Sequence, residues 1–382
     1  MLSRRKVLIA PVALAAGFRA RAADPRPNVL LMLAEKWRAQ AVPWASDAEV
    51  DPKMDVPNLA RFGKESVVFQ RAYSACPQGM LGREALLQGR FPHTQDPSPP
   101  LGRLLQGAGY EVAEFGNGDR DQIVPFLYSR REKPFFLQWN LRASGAGSEL
   151  LERREAKNVR ENVPSTAASD TEKQLAAFYA RCASRDHDIG YVLAALDRPV
   201  LVENTIVIFA SDHGEQFGSH GINGDDVPFE ESGRMALAIR YPRMLHAQSN
   251  DMLFSAVDLA PTTLKLCGAT PLAGAQGVMQ GRDLSNLLNG RLEGRPESVY
   301  GEGRLGHGDE WRMLVAGFDK LVTDAEGAPA HLFNLADDPY EMTDLVHHTA
   351  HRLKIDELLA LEKIWMRKLS DRIDQSGLKL RP

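Results

Sequence analysis

The sequence is poor in cysteine, has no repeated segment and carries no excess of positive charge. Its three cysteines, Cys76, Cys182 and Cys267, cannot form an even disulfide framework, and their spacing is not that of a zinc site. Two of them could still form one disulfide, but we expect all three to be buried thiols. With 46 basic and 50 acidic residues the chain offers no basic face for nucleic acid. The 31 glycines and 23 prolines follow no period, which excludes collagen and coiled coils and leaves a globular protein.

Residues 1–22 differ from the rest of the chain and predict an export signal. Three basic residues at 4–6 precede an apolar run at 7–18, which is shorter than the roughly 20 residues needed to span a bilayer. A small-x-small cleavage site follows at 20–22. The start Ser-Arg-Arg-Lys resembles a twin-arginine signal. Cleavage would change the formal charge from −4 to −9 by removing five basic residues. We expect a periplasmic or secreted protein without a membrane span in the mature chain.

Apolar runs of strand length alternate with helical patterns along the first two thirds of the chain. The runs lie at 29–33, 134–139 and 205–210, and the helical patterns at 57–65, 83–88, 101–108 and 171–196. This alternation predicts an α/β fold with a large, mostly parallel central sheet flanked by helices. Sites in such sheets form at the carboxyl ends of strands, where Glu35 and Asp212 occur.

The last quarter of the chain follows a different pattern. Residues 286–327 break the alternation, residues 311–323 resemble a hairpin, and residues 351–372 have helical periodicity. We therefore predict a smaller C-terminal subdomain at 286–382, with a short antiparallel sheet and a helix, after an α/β domain at 27–285.

Ordered motifs from residue 27 to residue 339 resemble the sulfatases of the alkaline-phosphatase superfamily, including arylsulfatases and choline-sulfatases. The motifs are PNVLL at 27–31, PNLARF at 57–62, LLQGRFPH at 86–93, SDHGE at 211–215, FEES at 229–232 and LFNLADDP at 332–339. The resemblance implies an alkaline-phosphatase-like fold and cleavage of sulfate esters. That reaction needs a nucleophile, a divalent cation and positive charge or hydrogen-bond donors around the sulfate.

The family's nucleophile position is occupied by a glycine. The family carries a Cys or Ser, later oxidised to formylglycine, in a C/S-x-P-x-R segment before LLTGR. Counting back from Gly89 and Arg90 places the motif arginine at Arg83 and the nucleophile at Gly79. Cys76 lies upstream but lacks the proline and arginine at the required offsets. We therefore assign no catalytic nucleophile.

The family's metal position is also changed. Where relatives have paired acids that bind calcium through oxygens, this chain has Glu35 followed by Lys36. A charged lysine supplies no lone pair and repels a divalent ion. Asp212 and His213 correspond to the other half of the family's site. Calcium or another divalent cation could therefore still bind at Glu35, Asp212 and His213, although we expect none. Our hypothesis is that Lys36 fills the cation space and pairs with Asp212, with Glu35 turned outward or sharing the pair.

Other positions that contact sulfate in the family have lost their cations. The family's FGKWH is replaced by a segment with Asn117 and Asp119, its Pro-His after PFFL has no counterpart in 140–145, and a lysine before the FEES motif has become Asp225. Arg83 could hold an anion at the start of its helix or form a structural salt bridge. Asp212 and His213 could bind metal or only turn the chain.

These substitutions predict an exported sulfatase-family protein that is catalytically impaired. Its expected partners are a sulfated or other anionic small molecule or glycan, or a partner subunit, and not nucleic acid. The alternative is an active sulfuric-ester hydrolase, or a related metal-dependent hydrolase, that uses Glu35, Asp212, His213 and Arg83.

Overall fold

The computed structural model describes residues 25–46, 54–94, 98–129, 131–142, 161–166, 168–269 and 279–371. The predicted signal at 1–22 lies outside them. The strands are β1 Asn28–Glu35, β2 Val67–Phe69, β3 Ala72–Tyr73, β4 Glu111–Phe115, β5 Phe135–Arg142, β6 Thr205–Ser211, β7 Leu237–Arg240, β8 Gln248–Asn250, β9 Phe254–Ser255, β10 Ser298–Gly303, β11 Trp311–Ala316, β12 Asp319–Thr323 and β13 Pro329–Asn334. The helices are α1 Pro57–Lys64, α2 Gly79–Gln88, α3 Leu101–Gly107, α4 Arg120–Tyr128, α5 Ala168–Leu196, α6 Pro199–Val202, α7 Glu230–Gly233, α8 Leu259–Leu266 and α9 Arg352–Leu369.

A seven-stranded sheet in the order β4-β5-β1-β6-β7-β2-β8 forms the centre of the protein. The three apolar runs seen in the sequence are β1, β5 and β6, and β1 pairs in parallel with both of the others. Within this sheet β7 alone runs in the opposite direction, because it is antiparallel to β6 and β2 while β8 is parallel to β2. The predicted mostly parallel central sheet is confirmed.

Alternate residues of β1 point into two separate hydrophobic layers. Val29, Leu31 and Leu33 pack in one layer with side chains of α2, α3 and α8. Leu30 and Met32 pack in the other with side chains of α1 and α5. Because side chains of a strand point alternately to the two faces, a continuous apolar run is what a sheet covered by helices on both faces requires.

The C-terminal region forms a four-stranded antiparallel sheet in the order β10-β11-β12-β13, followed by α9. The predicted hairpin corresponds to β11 and β12, and α9 confirms the predicted helix. Leu314, Leu321 and Trp365 belong to the same hydrophobic cluster as Leu31 of the central sheet. The two sheets therefore share one core, and the subdomain boundary at 285/286 stays a prediction.

A buried ion pair of Lys320 joins the two parts, and one of Arg312 lies within the C-terminal part. The Lys320 ammonium lies 3.0 Å from Glu230 Oε1 and 2.6 Å from Glu341 Oε1, and all three side chains are almost fully buried. Arg312 forms two hydrogen bonds, of 2.6 and 3.0 Å, with the Asp371 carboxylate. Such pairs are stable only when both members are present, since a lone buried charge is strongly unfavourable.

Two further expectations concern the whole chain. All three cysteines are buried and none is in a disulfide, which confirms the expected buried thiols. Within the described residues, the helices include none whose length and apolar character suit a bilayer.

Candidate functional site in the cleft at the ends of β1 and β6

The carboxyl ends of β1 and β6 bring the predicted metal positions together. The two strands are parallel, with Ala34 paired to Ser211. Asp212 Oδ1 accepts the backbone N–H groups of Lys36 and His213, each at 2.9 Å. Lys36 has φ 55°, a left-handed conformation that is uncommon for a residue with a side chain. The backbone of Lys36 therefore lies directly against Asp212.

The side chain of Lys36 pairs with a different acid. Its Nζ lies 2.8 Å from Asp225 Oδ2, and both side chains are mostly buried. The hypothesis that Lys36 pairs with Asp212 was therefore wrong about the side chain, because Asp212 Oδ1 already accepts two backbone donors. Burial alone would lower the pKa of Lys36, but Asp225, with Glu215 and Glu35, raises it above its ordinary value. Lys36 thus carries the positive charge of this ion pair.

Glu35 lies on the other side of the end of β1. Its Oε2 is 3.4 Å from Nε of Arg142, the residue that faces it across the β1–β5 pair. Parallel pairing with β5 explains this contact, since neighbouring residues in register can bring opposite charges together. Glu35 therefore pairs with Arg142 and is turned outward. This is one of the two arrangements that we considered for it, the other being a share in the ion pair of Lys36.

His213 is fully buried between two carboxylates. Its Nδ1 lies 2.8 Å from the carbonyl oxygen of Gly214, which can only accept, so Nδ1 carries a proton. Its Nε2 lies 3.7 Å from Asp225 Oδ2 and 4.0 Å from Asp212 Oδ1. Nε2 has no hydrogen-bond partner among the described residues. A buried imidazole nitrogen without a hydrogen-bond partner is unusual in a folded protein.

Burial makes this end of the cleft unfavourable for further negative charge. It raises the pKa of Asp212, against the lowering effects of His213 and the two backbone donors. It also raises the pKa of Glu215, which Lys36 partly offsets. The acids Asp225, Glu215 and Glu35 already surround Lys36, so its positive charge is offset and does not attract a further anion there.

Gly79 occupies an open position at the first residue of α2. It is exposed, with φ 47°, and a Cβ placed there would meet no atom within 4 Å among the described residues. The sequence pattern predicted a helix beginning at residue 83, but α2 begins at Gly79, where glycine readily adopts the left-handed conformation. The position aligned with the family's nucleophile therefore has space but no side chain.

Cys76 is in a different environment from a reactive thiol. It is fully buried, and burial raises its pKa well above the ordinary value, with further contributions from Glu302 and Asp226. The thiolate is the nucleophilic form, so this environment opposes reactivity. Geometry and chemistry agree with the expectation that Cys76 does not replace the nucleophile.

Arg83 lies on α2, one turn after Gly79, and its guanidinium bonds to the side chain of Asn140 on β5. Asn140 in turn donates to Glu114 Oε1 at 2.5 Å. Within the described part of the chain Arg83 has no carboxylate partner, so the structural salt bridge considered for it is not formed there. Its charge is therefore not offset by a carboxylate in that part of the chain.

Two other residues at family sulfate positions make local contacts. Asp119 accepts the N–H of Gly116 at 2.7 Å and the amide of Gln122 at 3.0 Å, which fixes the turn before α4. Asn117 Oδ1 accepts the N–H of Arg142 at 3.2 Å. Asp119 therefore shapes a turn, and Asp225 is paired with Lys36. Both acids that replace the family's cations therefore have partners of their own.

The cleft does not fit a divalent cation as it stands. The Lys36 ammonium lies on Asp225, and one oxygen of Asp212 is committed to backbone donors. Two other groups in the described residues bring three candidate ligand atoms within 4.8 Å of one another, and these are His93, Glu302, Asp371 and His220, Glu231, Glu341. The metal position predicted from Glu35, Asp212 and His213 is not one of these clusters.

The sequence also matches a known protein family across the strands that form this site. The chain matches the family described as Sulfatase over residues 27–121 and 120–269. The chain belongs to the sulfatase family. The match includes the strands β1 and β6 that carry the cleft.

Characterised relatives of this sulfatase-family chain include enzymes from several bacteria. It is 29% identical over 201 residues to an arylsulfatase of Clostridium perfringens, which covers 52% of this chain and 40% of that protein. It is 23% identical over 338 residues to an ulvan-active sulfatase of Formosa agariphila, covering 69% and 65%. With an endo-4-O-sulfatase of Bacteroides thetaiotaomicron it shares 22% identity over 374 residues, covering 69% and 73%. The matched part thus spans less than two thirds of the first two relatives.

Solved structures extend the likeness in fold over nearly the whole chain. One, from work on glycosaminoglycan metabolism by Bacteroides thetaiotaomicron, has a TM-score of 0.79 at 20% identity and covers 91% of this chain and 97% of its own. Another was solved with its substrate D-glucosamine-2-N,6-O-disulfate, with a TM-score of 0.75, 17% identity and coverage of 93% and 100%. These structures confirm the alkaline-phosphatase-like fold.

Proposed function

We propose that this sulfatase-family protein does not cleave sulfate esters by the formylglycine route and instead binds a sulfated or other small anionic ligand at the Arg83 end of the cleft. The observation that carries the proposal is Gly79, because the position aligned with the nucleophile has no side chain that could attack sulfur. The ammonium at Lys36, in place of a metal ligand, supports the same conclusion. Without both parts, the charge that builds on sulfate oxygens during cleavage is not balanced.

The anion would lie at the start of α2. The first backbone N–H groups of a helix have no intrahelical acceptors, and the helix dipole favours negative charge there. Gly79 leaves space at this end, and Arg83 brings a guanidinium without a carboxylate partner in the described residues. The acidic groups near Lys36 restrict the ligand to this side of the cleft.

Thermal unfolding tests the binding site. The relative solved with D-glucosamine-2-N,6-O-disulfate makes that sugar a suitable probe, with inorganic sulfate as the simpler one. Both should raise the Tm of the wild-type protein, and Arg83→Ala should abolish the rise. Arg103→Ala, at an exposed site on α3, is the matched control and should keep it. The control matters because sulfate stabilises many proteins without binding to a site. An equal rise in all three proteins would contradict the proposal.

Turnover separates this proposal from its alternative. An active hydrolase using Glu35, Asp212, His213 and Arg83 should release product from an aryl sulfate or phosphate when calcium or manganese is added. We expect no turnover above background from the purified protein. Turnover that Asp212→Asn removes would favour the metal-dependent hydrolase. A structural role beside an active paralogue would appear as co-purification of the two proteins.

We also propose export to the periplasm or beyond through the segment at 1–22. Exchange of Arg4 and Arg5 for lysine should retain the protein in the cytoplasm, because twin-arginine transport depends on that pair. The matched control exchanges Arg19 and Arg21 for lysine and should be exported. Equal export of both variants would contradict a twin-arginine route.

A further inference from the structure

We propose that Asn140 is the positioning residue of the anion site at Arg83, because its neutral amide holds the guanidinium in place without cancelling the positive charge. Glu114 in turn fixes the orientation of that amide. Asn140 has this role only if an anion binds at Arg83, so the inference rests on the function proposed above and deepens it.

Asn140 lies near the carboxyl end of β5, on the face of the central sheet that α2 covers. Residues two apart on a strand point to the same face, so Phe136, Gln138 and Asn140 are in line. Phe136 packs in the same hydrophobic layer as side chains of α2. Glu114 of the neighbouring strand β4 is directly opposite Gln138 in the parallel register. Strand pairing therefore brings a carboxylate and two amides together beside α2, where the Arg83 guanidinium bonds to Asn140.

Glu114 determines which way the Asn140 amide points. Its Oε1 accepts the Asn140 amide at 2.5 Å and the Gln138 amide at 3.3 Å. An ionised carboxylate can only accept, so the NH₂ group of Asn140 must face it and the oxygen must face the other way. That oxygen accepts from Gln138 Nε2 at 2.9 Å and from Arg83, which can only donate. Reversing the amide would place donors against the guanidinium, so one orientation satisfies the whole set.

Asn140 gives Arg83 a partner that carries no net charge. Arg312 is held instead by the Asp371 carboxylate at 2.6 Å, where the two charges offset each other. A hydrogen bond to an amide orders the Arg83 guanidinium and leaves its charge for an anion. Ordering the side chain in advance also reduces the conformational entropy that binding would cost. The amide therefore supplies position, and the guanidinium supplies charge.

Exchange of Asn140 separates these two properties. Asn140→Leu is close in size but removes the amide, so calorimetric titration with sodium sulfate should give a Kd about three- to tenfold higher as Arg83 loses its fixed position. Asn140→Asp keeps the shape but adds a carboxylate next to Arg83, and saturable sulfate binding should be lost. The matched controls are Asn289→Leu and Asn289→Asp, at an exposed amide that donates to Met244 O at 2.9 Å. Both should bind sulfate as the wild type does.

Two variants of Glu114, which is exposed on β4, test how the amide is oriented. Glu114→Gln keeps an acceptor for the Asn140 amide and should bind sulfate at least as tightly as the wild type, because a nearby negative charge is removed. Glu114→Leu has the same net charge but no acceptor, and its Kd should be about threefold higher than that of Glu114→Gln. Equal affinities of these two variants would overturn the orienting role, since charge alone cannot distinguish them.

The titrations distinguish the failure of this positioning role from the failure of anion binding. If the wild-type protein shows no saturable binding of sulfate or of D-glucosamine-2-N,6-O-disulfate, the anion site is absent and Asn140 has nothing to position. If the wild type binds and folded Asn140→Leu and Asn140→Asp give the same Kd as the wild type, the role of Asn140 is overturned while the anion site remains. If neither Asn140 variant folds, the comparison of the two Glu114 variants decides.

Discussion

Gly82 shows how single residues on α2 determine the shape of the cleft. A Cβ on Gly82 would lie 2.4 Å from the carbonyl oxygen of Cys76 and 3.4 Å from Cδ2 of His213. Glycine therefore allows the first turn of α2 to approach both the preceding loop and the buried histidine. The absence of a side chain matters for packing at residue 82 and for chemistry at residue 79.

Gly82→Ala should destabilise the protein by about 1–3 kcal/mol, because a backbone oxygen cannot move as easily as a side chain end. Urea unfolding would measure the change. Gly116→Ala is the matched control, since its Cβ would meet Asp119 at an ordinary 3.5 Å. Equal free energies of unfolding for the two variants would show that the loop at Cys76 can move to accommodate the added Cβ at little cost.

Lys36 illustrates what the sequence could and could not predict about the site. Its charge at a metal-ligand position predicted that the cation site had changed. Its partner could not be predicted, because Asp225 lies far along the chain in a loop without a repeating pattern. The pairing of Asp212 with backbone donors depends on the left-handed turn at Lys36, which residue identity did not indicate. Sequence thus located the changed residues, while loop geometry determined their contacts.

At the scale of elements, β1, β5 and β6 were predictable because strands buried on both faces are apolar throughout. The opposite direction of β7 and the short strands β2 and β8 were not, because four or three residues carry too little pattern. The helix α4 contains Pro125, which obscured it in the sequence. Buried charges on β12 and α9 were also missed, since charged residues are usually read as exposed.

Lys320 on β12 should be essential to the junction of the two sheets. Lys320→Met leaves Glu341 buried without its cation and Glu230 with only Arg234, at 3.6 Å, which should cost about 3–5 kcal/mol. The matched control is Lys354→Met at the exposed start of α9, where contacts with Asp319 and Glu357 are screened by water. Thermal unfolding should show a large loss in the first variant and little change in the second. Similar losses in both would contradict this account.

Glu362 on α9 should make stability depend on pH. Burial raises its pKa to about 7, which the hydrogen bond from Thr323 only partly offsets. Since the folded pKa exceeds the unfolded value of about 4.3, its contribution is fully present below that value and is lost as pH rises through 7. Glu362→Gln should reduce the fall in stability between pH 4.5 and 7. Unfolding curves across this range would check it, and an unchanged pH profile would argue against a buried, protonated Glu362.

At the scale of the whole molecule, one continuous core links the central sheet to the C-terminal sheet. Leu31, Leu321 and Trp365 belong to it, and the ion pair between Lys320 and Glu230 lies at the same junction. We therefore expect cooperative unfolding of the two parts. The likeness to solved sulfatases over most of the chain shows that changes in the cleft have left this architecture intact.

The reactivity of the three buried thiols measures how well the core excludes solvent. Cys76, Cys182 and Cys267 are buried thiols outside any disulfide, and burial raises the pKa of Cys267 to about 12. The native protein should react with a thiol reagent only slowly, and denaturant should release three thiols per chain. Lys133→Cys, with an exposed thiol, should give one rapid reaction as a control. Recovery of a single thiol in denaturant would show a disulfide in the isolated protein.

The ion pair between Lys36 and Asp225 also makes the charge in the cleft independent of the metal-ion concentration of the medium. A coordinated ion is in exchange with the medium, so its occupancy follows supply and is lost to chelators. A cation attached covalently to the end of β1 cannot be diluted, dialysed or captured by a competing ligand. The shape and charge of this cleft should therefore be the same in calcium-poor and calcium-rich environments.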